Sequence, residues 1–260
     1  MKAPSAFGRQ KEMNIQKFLI TSPQMKRSVL ILTLIAISIL NLDAQYVFRD
    51  VSEGRRLSIS PYRGVEGTPY FSEDFIPGDI YLHSGDVFSD ALIRYNAYEN
   101  EIEYMDRGRV YSLKNHLIRE FRIAHKQGSL TDTVIFRKGF SGERLNPETF
   151  YIVHYEGDIT LIESFSQRFQ QELAPAYHKS SAVKKFVPSI RLFLIRKDSS
   201  VEEIYKSKNS VLNTLADVSF FRKFTDKKRR ELSRLIRQEG LDMRKPDDIV
   251  RLLEYHDRNY

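Results

Sequence analysis

Six histidines, one glycine-flanked serine and several adjacent carboxylates are the residues of this 260-residue chain with types and spacing suited to chemistry. Gly139-Phe140-Ser141-Gly142 approaches the G-x-S-x-G nucleophile elbow, which presents a serine on a strand-to-helix turn. Position 143 is Glu, however, and Asn146-Pro147 follows, so a plain turn is expected. His116 and Glu120 lie four apart, with His125 beyond. On a helix the first two would face one metal ion. Phe121 and Ile123 instead alternate as in a strand, which scatters those side chains, and no metal site is expected. Glu73 with Asp74, and Glu202 with Glu203, are carboxylate pairs. Cleaving a sugar linkage needs two carboxyls about 5–10 Å apart across the bond. Sequence neighbours do not supply that, so solvated acids are expected. No glycine-rich phosphate loop or dinucleotide fingerprint occurs, and no cofactor is implied.

Cysteine is absent. That excludes thiol catalysis, cysteine-based zinc sites, disulfides and a lipidated-cysteine anchor. The strongest charge signal is Lys227-Lys228-Arg229-Arg230 with Arg234 and Arg237. At 100° per residue, Lys227, Arg230, Arg234 and Arg237 share one strip, opposite Leu232, Leu235 and Ile236. The plain reading is the solvated face of an amphipathic helix. The functional readings are an anionic envelope component or a protein partner. Followed by Gly240 and a second helix, the segment could also mimic a DNA-binding helix pair. Nucleic acid is disfavoured if the chain is exported. Tyr62, Tyr70, Phe71 and Phe75, among Gly64, Gly67 and Pro69, read as a strap over the open end of a sheet rather than as a stacking platform for sugars or peptide.

The elements that must position these residues fall into two halves. Ile80 and Leu82, then Ala91, Ile93 and Tyr95, then Ile102 and Tyr104, alternate with polar neighbours. Phe121 and Ile123, Val134 to Phe136, Tyr151 to Tyr155 and Ile159 to Ile162 continue the pattern. Period-two runs punctuated by Gly and Asn predict an antiparallel meander. Such a sheet must bury one face, so a sandwich or partly closed barrel is expected over 45–205. Ala174 to Ser181 reads as loop, and the basic segment between Pro175 and Pro188 shows no clear pattern. Leu192 to Arg196 and Val201 to Tyr205 predict a hairpin. Residues 206–260 read as a small helical unit. Val211, Leu212 and Leu215 mark a short helix. Thr225 is suited to cap the next, which Gly240 ends. Pro246, Asp247 and Asp248 suit the first turn of a last helix, packed through Ile249, Val250, Leu252 and Leu253. The expected fold is therefore mainly β with α.

The N-terminal region reads as an address. Met25-Lys26-Arg27-Ser28, an apolar block from Val29 to Leu40, and a polar stretch to Ala44 follow the order of a secretory signal peptide. A spanning helix needs about 20 apolar residues, and this block falls short before Asn41 and Asp43. Residues 25–44 are therefore expected to be a signal cleaved between Ala44 and Gln45, leaving no transmembrane helix in the mature chain. Residues 1–24 read as a mis-assigned extension or a disordered leader. The chain holds 41 basic and 34 acidic residues; residues 1–44 contain six of the former and two of the latter, which leaves 35 against 32. A general polyanion-binding character is not supported for the mature chain.

Gly67-Thr68-Pro69-Tyr70-Phe71, Gly78-Asp79-Ile80-Tyr81-Leu82 and Leu92-Ile93-Arg94-Tyr95-Asn96-Ala97-Tyr98 resemble a pattern in uncharacterised exported proteins of Bacteroidota. The run from Asp226-Lys227-Lys228 through Leu241 to Asp247-Asp248-Ile249-Val250, with Leu253 and Tyr255, is similar to theirs as well. The resemblance implies export and a β-then-helical layout over most of 60–260, and it carries over no catalytic or binding residue. The expected function is non-enzymatic binding or scaffolding by an exported protein, periplasmic, associated with the outer envelope or secreted. The alternative is a periplasmic hydrolase whose site is assembled only in three dimensions.

Overall fold

The computed structural model describes residues 62–127, 130–172, 183–205, 209, 211, 212, 215 and 222–260. Ala44, Gln45, the apolar block 29–40 and the loop 174–181 lie outside the described residues. Ten strands form one open antiparallel sheet: β1 Ile76–Leu82, β2 Val87–Asn96, β3 Glu101–Asp106, β4 Arg109–Ser112, β5 Ile118–Gln127, β6 Leu130–Arg137, β7 Tyr151–Tyr155, β8 Ile159–Glu172, β9 Val183–Arg196 and β10 Val201–Ile204. Their order is β10-β9-β8-β7-β6-β5-β1-β2-β3-β4, a meander with one crossover, at which β5 returns beside β1. Among the described residues, Asn209, Val211, Leu212 and Leu215 are helical, and two longer helices follow, α1 Arg222–Gln238 and α2 Pro246–Asn259. The expected class, mainly antiparallel β with a helical C-terminal part, is the one observed.

Local chemistry explains the turns. Arg107 and Gly108 both take positive φ, +47° and +74°. That is the backbone a two-residue hairpin demands between β3 and β4. Gly78 serves close approach instead, because a Cβ there would stand 2.5 Å from the Arg122 carbonyl oxygen and 2.8 Å from Ile93 Cδ1.

One face of the sheet carries the main core across the central strands. Cross-strand pairing carries it from Phe121 to Phe136 to Ile152 to Glu163 to Leu192. Its first half is aromatic. Phe121 and Phe136 stack at 4.5 Å, and Tyr95, Phe150 and Phe71 close around them. Its second half is aliphatic, with Ile159, Leu161, Leu192, Leu194 and Ile204 beneath Leu212, Leu232, Ile236, Ile249, Leu252 and Leu253. Each such side chain contributes about 1.5–3 kcal/mol when fully buried, so the helices are part of the sheet's own core. On the opposite face Tyr151, Ile162 and Phe193 are covered by Phe140, Leu145 and Val201.

The strap ahead of β1 ties the sheet round on itself. Phe71 N–H donates to the Tyr95 carbonyl, and Ala97 N–H donates to Pro69. Glu66 exchanges backbone bonds with Lys184 and Phe186 on β9, while Gln167 N–H on β8 reaches the Ala97 carbonyl. The expected strap is therefore present, and it bridges the long β8–β9 arm to the β2–β3 turn.

Two boundaries differ from the sequence reading. β9 begins at Val183 rather than Leu192 and contains Pro188. Phe186 N–H points to Glu66, away from β8. By the two-residue period, Pro188 faces the same outer edge, where a missing N–H costs no ladder bond. α1 begins at Arg222, so Thr225 lies within the helix and does not cap it. The other helix signals are observed. Gly240 takes φ +64° and Leu241 N–H closes on the Ile236 carbonyl, while Pro246 opens α2 after Lys245.

Candidate functional site

Most of the charged side chains with chemical potential are held by one another. Glu120 is 2% exposed on β5 and receives Arg122 Nε at 2.7 Å and Arg137 Nε at 2.6 Å. Burial pushes its carboxyl up, but the hydrogen bonds from Arg137 and Arg122 outweigh that and hold it below the usual range. His116 lies apart, in a short 3-10 turn, and Glu120 thus serves an ion-pair cluster. Glu103 accepts from Arg94 and from Tyr70 Oη. Arg94 lies 3.6 Å from the Tyr70 ring centroid and 4.4 Å from that of Phe75. Burial and then the Glu103 charge push Tyr70 up to about 12. Glu202 faces Arg196 at 3.6 Å and Glu203 faces Arg144 at 3.4 Å, while the Glu73 carbonyl takes Arg94. Ser141 sits in the irregular loop before β7, with Gly142 bridged to Leu145.

Two histidines meet carboxylates. His154 Nε2 is 3.2 Å from Glu163 Oε2. His256 Nδ1 is 2.9 Å from Asp257 Oδ1, whose other oxygen accepts Tyr155 Oη at 3.0 Å and Asp158 N–H at 2.8 Å. Gly157 allows this, since a Cβ there would overlap Asp257 Oδ2. Burial raises Asp257, but the bonds from His256, Asp158 and Tyr155 lower it overall. Burial dominates at His256 and lowers its pKa against the pull of Asp257. Its Nε2 is buried without a partner. Neither histidine is hydrogen-bonded to a serine or threonine hydroxyl among the described residues. The Asp257 hub fastens the end of α2 to the β7–β8 turn. Among the described residues no group of three His, Asp or Glu side chains is arranged to hold a metal ion.

Two surfaces stand outside these pairings. The first is α1. Leu232 and Ile236 are buried, while Lys227, Arg230, Arg234 and Arg237 are all exposed on the opposite strip. Leu235 was expected in the buried stripe and is only half-buried at its margin. Lys227 approaches Glu231 only at 4.0 Å. Arg230, Arg234 and Arg237 have no ion pair or hydrogen bond among the described residues.

The second surface lies on the arm. Tyr62, Tyr98 and Phe169 pack around Phe186 at 5.2, 5.3 and 5.8 Å. Phe186 is buried, but Tyr98 stays 42% exposed and Phe169 40%. Ile190, on the same face of β9 as Phe186, is exposed to a similar degree. Only the Phe165, Phe169, Phe186, Ile190 alternation hints at this patch in sequence, because Tyr62 and Tyr98 come from distant segments. Among the described residues no helix is long and apolar enough to cross a membrane. Comparison with protein-family models, with curated proteins and with solved structures finds no match for this chain.

Proposed function

We propose that this chain is an exported protein of the cell envelope or its surroundings that acts by binding or scaffolding. The observation that carries the binding reading is the half-exposed aromatic patch of Tyr98 and Phe169 around Phe186. Exposed rings in a contiguous group are characteristic of interaction surfaces, where they supply large contact area at small entropic cost. The ionisable groups support the same reading, since the carboxylates that meet arginine or histidine are engaged in holding strands and helices together. Export rests on the ordered basic, apolar and polar segments from Lys26 to Ala44.

The test has two parts. Mass spectrometry of the protein from its own host should find Gln45 as the first residue. An intact Met1 or Met25 in a soluble cytosolic pool contradicts export. Tyr98→Ala with Phe169→Ala should then reduce retention of the folded protein in envelope fractions by tenfold or more, on the order of two lost hot-spot residues. Unchanged retention removes the patch from the account.

A further inference from the structure

We infer that the exposed cationic row of α1, Lys227, Arg230, Arg234 and Arg237, is a docking surface for an anionic phospholipid bilayer. The inference stands on the helix alone and needs neither the aromatic patch nor export.

The row is built rather than incidental. Its residues follow at steps of three, four and three, which confines them to a strip about 80° wide and about 15 Å long. From Lys227 to Gln238 the helix holds six cations and one acid, Glu231. Three arginines elsewhere on the C-terminal part are matched by acids. Arg244 takes Asp242 at 2.9 Å, Arg258 takes Glu254 at 3.1 Å, and Arg251 faces Asp248 at 3.9 Å. In the row, like charges face each other at helix-neighbour spacing, which is unfavourable in isolation and is relieved by an anionic partner. Three of the four are arginine, whose planar guanidinium matches phosphate oxygens in pairs.

The setting selects a flat partner. Leu232 and Ile236 bind α1 to the core along the opposite side, so the helix has no free apolar face to insert into hydrocarbon. Glu231 and Ser233, on the two flanks of the strip, are half-buried. Glu231 is also tied to the hydroxyl of Tyr260, the residue that follows α2. A helix that enters a DNA major groove must expose its flanks within a cleft about 12 Å wide. α1 exposes the row as a line tangent to the body, with Arg229 exposed beyond the Ser233 flank, and that line meets a plane of headgroups along its whole length. Attraction to such a plane decays within a Debye length, about 10 Å at 0.1 M salt, and the row lies at the surface where the field acts.

The experiment is sedimentation of the full chain with vesicles of phosphatidylglycerol mixed with phosphatidylcholine, against phosphatidylcholine alone. Wild type should bind the anionic vesicles better by at least about tenfold, as expected for several surface cations. The advantage should vanish in about 0.5 M salt. The triple variant Arg230→Gln, Arg234→Gln, Arg237→Gln, with unchanged circular dichroism, should lose that advantage. The matched control Arg244→Gln, Arg251→Gln, Arg258→Gln removes the same charge from paired positions and should keep most of it. Competition by inorganic phosphate at millimolar concentration should be weak if a surface is recognised, and complete competition overturns the lipid assignment in favour of a free-phosphate site. Equal binding by wild type and the row variant overturns the proposal, as does equal loss by row and control variants. Tighter row-dependent binding to duplex DNA than to the vesicles also overturns it.

Discussion

Arginine appears in two roles in this molecule, and the contrast separates architecture from surface. On β5 and β6, Arg122 and Arg137 converge on a carboxylate that is 2% exposed. On α1, Arg230, Arg234 and Arg237 converge on nothing within the described residues. The first set is held at short distances by the sheet: cross-strand register places Arg137 directly opposite Glu120, and the two-residue period places Arg122 beside it on β5. The second is held only by helical periodicity. The same side-chain chemistry stabilises the fold where its partner is supplied by the chain, and leaves charge available where it is not.

That contrast can be tested by substitution. The largest effect belongs to the side of α1 that faces away from the row. Leu232→Ala should destabilise by about 2–5 kcal/mol in denaturant unfolding, as for a fully buried leucine. A loss under about 1 kcal/mol would place α1 outside the core. Glu120→Gln comes next. A hydrogen bond to a charged group contributes about 1.5–3 kcal/mol. The partners, with side chains 39% and 25% exposed, can turn to water, so the loss should fall at the lower end. The wild-type pH profile carries the same information. Glu120 has its pKa lowered in the fold, so its contribution is complete above the ordinary glutamate value, about 4.3, and is lost as pH falls through the folded value. Glu120→Gln should remove that acid-side loss.

His256 acts in a higher window. Its folded pKa lies below the ordinary value of about 6.5. The unfolded chain therefore takes up a proton first, and stability is full above that value and falls as pH drops below it. The slope cannot exceed about 1.4 kcal/mol per pH unit. His256→Asn should flatten the fall in melting temperature between neutral pH and about pH 5.5. An unchanged slope assigns that window to another group. The smallest effect is expected for Arg234→Ala, under about 0.5 kcal/mol, as for an ordinary surface position. Losses equal to those of Leu232→Ala would show the two faces of α1 to be misassigned.

What the sequence disclosed follows from which interactions are local. Period-two alternation at Ile80, Ile93, Tyr95, Ile102 and Tyr151 is local, and each of those residues is buried. Gly240, Pro246 and the cationic strip of α1 are likewise local signals, and all three occupy the positions they imply. The first half of β9 was hidden because Lys184, Lys185 and Pro188 break the apolar pattern, although Phe186, Ile190, Leu192 and Leu194 keep its period. The ion-pair clusters were hidden for a different reason. Arg137 is 17 residues from Glu120, and only the β5–β6 register joins them. Asp257 reaches Tyr155 across 102 residues, a contact no spacing rule contains. The aromatic patch gathers rings from the strap, the β2–β3 turn and both strands of the arm, so it exists only once the strap is tied.

The most direct test of the central contrast needs no ligand. The stability of Arg230→Gln, Arg234→Gln, Arg237→Gln should be compared with wild type at low salt and at about 1 M salt, where the Debye length is about 3 Å. Neighbouring like charges on a helix cost about 0.2–0.5 kcal/mol per pair. The variant should therefore equal or exceed wild type by up to about 1 kcal/mol at low salt, and the difference should disappear at high salt. A variant less stable than wild type by more than about 1 kcal/mol at low salt would show that these arginines are bound into the fold and are not a free surface.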